Sequence, residues 1–277
     1  MTPRVMFSLP GSMTMERSTL AMREAASSAA LDASSETKVY YPVNSPAIFA
    51  LTSGGNPDDI GYANQYALSR KHIFDSAKAS LKRLQLDYID ILQCHRLDKN
   101  TPIEETMQAL HDVVKAGYVR YIGMSSCWAW QFHAMQNYAI THKLTPFISM
   151  QNYYNVLYRE EEREMFPTLK HSGVGSIPWS PLPRGETDRY IARLKSTETD
   201  AIVEHVQEIA KNKDISMVQV ALAWIMASDA VTVPIVGTSS VDNLKDIIKE
   251  SVHVTLTDEE KRYLEEPYRP RNVVSHT

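Results

Sequence analysis

No stretch of the sequence approaches the 18 or more consecutive apolar residues of a membrane-spanning helix, so no transmembrane anchor is expected. The start, "MTPRVMFSLPGSMTMERS", has only Arg4 before a few apolar residues and lacks the continuous apolar core of a signal peptide. Cysteine is scarce. Cys94 and Cys127 are too few for a disulfide framework and stand in no metal-ligand spacing, so no metal site is expected. Both read as small, partly buried fillers and not as activated thiols. Charge of one sign is not in excess either: a formal net charge of −4 on 22% charged residues carries no footprint of nucleic acid or of a membrane surface. No Gly-x-Gly-x-x-Gly turn occurs, which argues against a dinucleotide-binding doubly wound sheet. What remains is a soluble intracellular protein, with the cytoplasm as its expected place.

A chain of 277 residues, 43% of them hydrophobic, can build one large domain. From residue 37 onward, short β-rich runs alternate with helical segments. The strand candidates are "TKVYYP" (37–42), "DYIDILQCH" (87–95), "VRYIGMS" (119–125), "FISMQ" (147–151), "VGSIPWS" (174–180) and "TVPIVG" (232–237). Helix starts are legible between them. Ser69 caps "RKHIFDSAKASLKRL", and Ser216 caps "MVQVALAWIMA". Thr101 with Glu104 and Thr257 with Glu260 read as capping boxes, with Pro102 at a first helical position and Gly117 just past a helix end. Such alternation predicts an α/β fold with a parallel sheet and crossover helices, and a (β/α)8 TIM-type barrel in particular.

That barrel wants eight strands. The first 36 residues hold one strand candidate, "RVMFSL" (4–9), and then an Ala- and Ser-rich stretch of helical leaning. The expectation is therefore a single domain over 1–277 whose segment 1–36 is atypical and whose barrel is incomplete or modified at its N-terminus. A gap there would leave open edges, which the N-terminal segment or a second copy of the chain, as a homodimer, could cover.

The blocks "LSRKHIFDSAKASLKRLQLDYIDILQCHRLD", "VRYIGMSS", "QNYYNVLYREEEREMFP", "IPWSPLPRG" and "VPIVGTSSVDNL" resemble the aldo-keto reductase family. Within it they are similar to the fungal aryl-alcohol dehydrogenase group, related to potassium-channel beta subunits. The resemblance runs from about Glu36 to the C-terminus. It implies reduction of an aldehyde or ketone, aromatic or from secondary metabolism, with NADP(H) as cofactor and a small carbonyl or alcohol as partner. A regulatory, nucleotide- or ligand-binding relative without redox activity is the alternative.

Carried over residue by residue, Lys38 matches the family lysine and His95 the histidine that orients the carbonyl. The family's aspartate and proton-donating tyrosine find no match, since the first tyrosine is Tyr40 and the only aspartate before Lys38 is Asp32. Glu36, Lys38 and Tyr40 alternate along one strand and share a face, so Glu36 could balance the ammonium. Tyr40 reads better as a pocket wall than as a relocated donor. Trp128 and Trp130, on the loop after "GMSS", read equally as walls of a substrate pocket, Trp128 first, or as helix-face packing.

For the cofactor, the resemblance assigns Ser125, Ser126 and Gln151 to the nicotinamide carboxamide and Trp179 to stacking on the ring. Ser180, Leu182 and Arg184 fall on the loop over the pyrophosphate. Gly237, Thr238 and Ser239 begin the turn into a helix whose N-terminus can receive a phosphate, and Asn243 and Asp246 stand toward the adenosine end. The charge run "REEEREMFP" reads as a solvated helix start.

Overall fold

The computed structural model describes residues 6–7, 35–41, 55, 59, 61–62, 65–181, 194–237, 247, 253–274 and 276. In chain order the first elements are β1 (Met6–Phe7), β2 (Glu36–Val39), α1 (Arg70–Leu84), β3 (Ile89–Cys94), α2 (Ile103–Lys115), β4 (Val119–Ser125) and α3 (Ala129–Thr141). They continue with β5 (Phe147–Gln151), a 3-10 turn at Glu160–Glu162, α4 (Met165–Ser172), β6 (Gly175–Ser176), α5 (Thr197–Lys213), α6 (Met217–Met226), β7 (Ile235–Val236) and α7 (Asp258–Glu265). The chain divides into two compact units, Gly11–Ser149 with Thr277, and Met150–His276 with Met1–Pro10.

In the unit of Gly11–Ser149, β2, β3 and β4 pair in parallel with Lys38 opposite Gln93 and Gln93 opposite Gly123. The helix-facing side is set by Thr37, whose hydroxyl lies 3.4 Å from Ser80 on α1. Ile73, Ala77, Leu92, Leu110, Val113 and Ile122 close the core between strands and helices. Strand alternation then puts Glu36 and Lys38 on the other side, in register with Ile91, Tyr121, Gln93 and Gly123. That side is mixed: Tyr121 is 52% exposed, whereas Gln93 is fully buried. Gly123 has no side chain because none fits. A Cβ there would stand 2.2 Å from Gln93 Oε1 and 2.4 Å from Ser149 Oγ, since the Gln93 amide crosses over Gly123 to donate to Ser149 at 3.2 Å.

In the other unit, β1 runs parallel to β7, pairing Met6 with Ile235 and Phe7 with Val236. Of the N-terminal candidate 4–9, the described residues Met6 and Phe7 form a strand. Candidates 174–180 and 232–237 contract to Gly175–Ser176 and Ile235–Val236. Pro178 and Pro234 have no N–H to give to a ladder. Single bonds replace the ladder, from Ile177 N to Met150 O at 2.8 Å, Trp179 N to Asn152 O at 2.9 Å and Ile235 N to Pro178 O at 2.8 Å.

The caps at Ser69, Ser216 and Thr257 form as expected, Ser216 reciprocated by Gln219. The box at Thr101 does not form. Asp98 accepts the Thr101 hydroxyl, and Pro102 occupies the cap position with no side-chain bond. Gly117 does follow α2 at φ +80°, a conformation that favours glycine. Strand 37–42 stops at Val39: His95 N still donates to Val39 O, but Tyr40 O turns away to Ala67 N.

Candidate functional site

In the unit of Gly11–Ser149, Lys38 is the third residue of β2, and His95 directly follows β3. The 2.9 Å bond from His95 N to Val39 O fixes them at the same C-terminal end of two neighbouring parallel strands. Lys38 is crowded yet wet. Its side chain is exposed, while desolvation by the surrounding atoms pulls its pKa to about 8, with Glu36 opposing and Arg96 assisting. Glu36 is therefore the carboxylate that helps keep the ammonium charged. His95 is held well below the usual imidazole range, first by burial and then by the charges of Lys38 and Arg96. At neutral pH it is an uncharged ring that can offer an N–H.

Three tyrosines crowd this end. Tyr40 packs edge-on to Tyr66 at 4.9 Å and to Tyr41 at 5.0 Å, and Tyr41 lies edge-on to His95 at 5.2 Å. The Tyr40 phenol is pushed up by burial and by its bond to Tyr66, with Asp98 adding to both. A phenol raised in this way is a poor acid. Tyr41 and Tyr66 enter this cluster without having been singled out from sequence, since the 26 positions between Tyr40 and Ala67 give no periodic signal.

Ser125 closes β4, and Ser126 follows in the left-handed region at φ +47°, both fully buried, with their hydroxyls 3.3 Å apart. Trp128 stands at the N-terminal cap position of α3, its N–H satisfied by Gln131 Oε1 at 2.9 Å and its side chain 41% exposed. Cys94 and Cys127 are both fully buried, and burial pushes the Cys94 thiol up to about 12, so Cys94 is not an activated thiol.

In the unit of Met150–His276, Gln151 ends β5 and is buried. Trp179 bridges Tyr153 on one side and Ile235 on the other, with its ring 4.7 Å from that of Tyr153. Ser180 has φ +52°, and its carbonyl accepts from Asn155 Nδ2 at 3.0 Å. Gly237 comes directly after β7. Leu182, Arg184, Thr238, Ser239, Asn243 and Asp246 lie outside the described residues.

The charge run corrects the sequence expectation. Glu160 and Glu161 are buried, not solvated. Glu160 accepts from Tyr268 Oη at 2.6 Å and Arg271 N at 2.7 Å, and pairs with Arg163 Nε at 2.8 Å. Tyr268 and Arg271 stand over 100 positions away, beyond the reach of local pattern.

Residues 37–269 match the Aldo/keto reductase family. The chain belongs to that family. It is 44% identical to versiconal hemiacetal acetate reductase of Aspergillus parasiticus, over 86% of this chain and 74% of that protein. It is 46% identical to a putative aryl-alcohol dehydrogenase of Schizosaccharomyces pombe, over 84% of this chain and 72% of that protein. An aldo-keto reductase of Fusarium vanettenii is 46% identical, over 78% of this chain and 62% of its own length. The fold class is accordingly α/β of the (β/α)8 type in a modified form, and the relatives are named as reductases and alcohol dehydrogenases. Among the described residues no helix is long and apolar enough to cross a membrane, and no group of three metal-binding side chains is assembled.

Each unit, taken by itself, holds groups with the chemistry that the nicotinamide end of the family's cofactor calls for. In one unit, Ser125 and Ser126 are buried hydroxyls beside a left-handed backbone turn. In the other, Gln151 is a buried amide and Trp179 an indole braced by Tyr153. Neutral donors and a flat ring suit a carboxamide and an uncharged dihydropyridine.

Proposed function

We propose that the protein is an NADP(H)-linked carbonyl reductase for an aromatic or secondary-metabolite aldehyde or ketone. The observation that carries this reading is the placement of Lys38 beside a neutral His95 on adjacent strand ends. The relatives' names supply the substrate class. Ser125, Ser126, Gln151, Trp179, Ser180 and Gly237 would hold the cofactor, which supplies the hydride when bound. His95 donates an N–H to the carbonyl oxygen and orients it. Lys38 places positive charge where negative charge develops, a contribution that grows toward the transition state. Tyr40 and Trp128 serve as walls for substrate. NADP(H) is preferred over NAD(H) by family likeness.

Tyr40, the tyrosine nearest Lys38 in the sequence, is a weakened acid. Turnover that relied on Tyr40 as proton donor is expected to be about 10²–10⁴-fold slower than with a well-matched positioned donor. The weakness of this phenol favours a second reading, a nucleotide-binding relative with a non-redox role. NADPH oxidation with a reactive aromatic aldehyde separates them, measured for wild type, Lys38→Met, His95→Ala and Tyr40→Phe. A slow wild-type rate abolished by the first two changes and retained by the third is expected. Binding of NADPH with no turnover in any protein would select the second reading. A second copy of the chain is proposed as partner, supported by the exposed Tyr121 on β4, and a monodisperse monomer in light scattering would refute it.

A further inference from the structure

Glu161 is a buried carboxylate, 2% exposed, that the proposed reaction does not use. Asn152 Nδ2 donates to its Oε2, and His276 Nε2 stands 3.2 Å from its Oε1. Asn152 is fully buried and follows Gln151 directly, and its carbonyl accepts the Trp179 N–H at 2.9 Å. Tyr153 braces the Trp179 ring, and Asn155 holds the Ser180 carbonyl. Two hydrogen bonds thus lead from Glu161 through Asn152 to the backbone of Trp179.

The far side of Glu161 and its neighbour Glu160 is occupied by the end of the chain. Besides His276, Tyr268 and Arg271 bond Glu160, and Val274 N donates to Tyr158 Oη at 3.1 Å. Arg271 continues to Leu194 O and Thr199 Oγ1. A carboxylate withdrawn from water is costly unless donors converge on it. Here they come from the strand end that carries Gln151, from residues 268–274 with His276, and, for Glu160, also from Arg163.

We propose that Glu161 is a positioning residue for Gln151 and Trp179, acting through Asn152, and that residues 268–274 with His276 hold the Glu160–Glu161 pair in place. The inference rests on the cofactor reading for its consequence in binding, though not for the structural linkage. Because coupling is reciprocal, cofactor bound at Gln151 and Trp179 steadies the terminal segment, and loosening that segment weakens cofactor binding.

The test uses Glu161→Ala, Glu161→Gln and Tyr268→Phe in the full chain, with amide hydrogen exchange and the NADPH dissociation constant as readouts. Glu161→Ala is expected to speed exchange at the Trp179 and Arg271 amides without speeding it at Leu92. It should also raise the NADPH Kd about tenfold, the equivalent of one strong hydrogen bond. Glu161→Gln keeps an acceptor for Asn152 and should recover most of both, and Tyr268→Phe should loosen Arg271 first. Uniform acceleration that includes Leu92 would mark a purely structural role and overturn the proposal. So would unchanged exchange at Trp179 in Glu161→Ala. If that variant fails to fold, unchanged Trp179 and Arg271 exchange in both other variants overturns it instead. Failure of the wild type to bind NADPH overturns the cofactor reading, and exchange at Trp179 then decides the positioning role alone.

Discussion

Replacing Lys38 by methionine should abolish function and at the same time stabilise the protein near neutral pH. Desolvation draws the Lys38 pKa from 10.5 to about 8, so the folded state disfavours the ammonium relative to the unfolded chain. The full conversion of that drop is roughly 3.4 kcal/mol. It overstates the effect, because the side chain is exposed and water screens it. A penalty of about 1 kcal/mol is the expected size. Its pH window follows from linkage. Between about pH 8 and 10.5 the unfolded chain holds the proton and the folded chain does not, so wild-type stability rises with pH across that interval. Below pH 8 the penalty is fully present. Lys38→Met should therefore exceed wild type in urea midpoint at pH 6.5, with the difference shrinking at pH 9 and gone above pH 10.5. A variant less stable than wild type at pH 6.5, or a difference that ignores pH, would refute this account of the lysine's surroundings.

His95 should remain neutral to well below pH 6.5, because burial, Lys38 and Arg96 all disfavour its charge. In NMR titration Lys38→Met should move its midpoint upward, and an unchanged midpoint would show that the two groups do not interact. Gly123→Ala forces the Gln93 amide off Ser149 and should cost about 1–2 kcal/mol by overpacking and a lost hydrogen bond, read as a lower urea midpoint; an unchanged midpoint would mean that Gln93 swings aside freely.

Where backbone rules act locally, the sequence was readable. Ser69, Ser216 and Thr257 cap the helices they precede, and β4 and β5 span the residues that their β-branched and aromatic pattern suggests. The rules failed where a distant group intervened. Asp98 took the Thr101 hydroxyl, and prolines 178 and 234 broke runs whose hydrophobicity alone looked continuous.

The sequence by itself determined the alternation of strand and helix, the positions of Lys38 and His95 at strand ends, and, through motif likeness, the family. Those follow from side-chain period, capping chemistry and residue order, all of which are local. Only the tertiary structure decided the protonation of His95, the weakness of Tyr40 as an acid, and the burial of Glu160 and Glu161. Each of these depends on water being excluded, or on partners such as Tyr66, Tyr268 and Arg271 being brought close by the fold. Desolvation and long-range pairing are properties of neighbours in space, and no spacing along the chain encodes them.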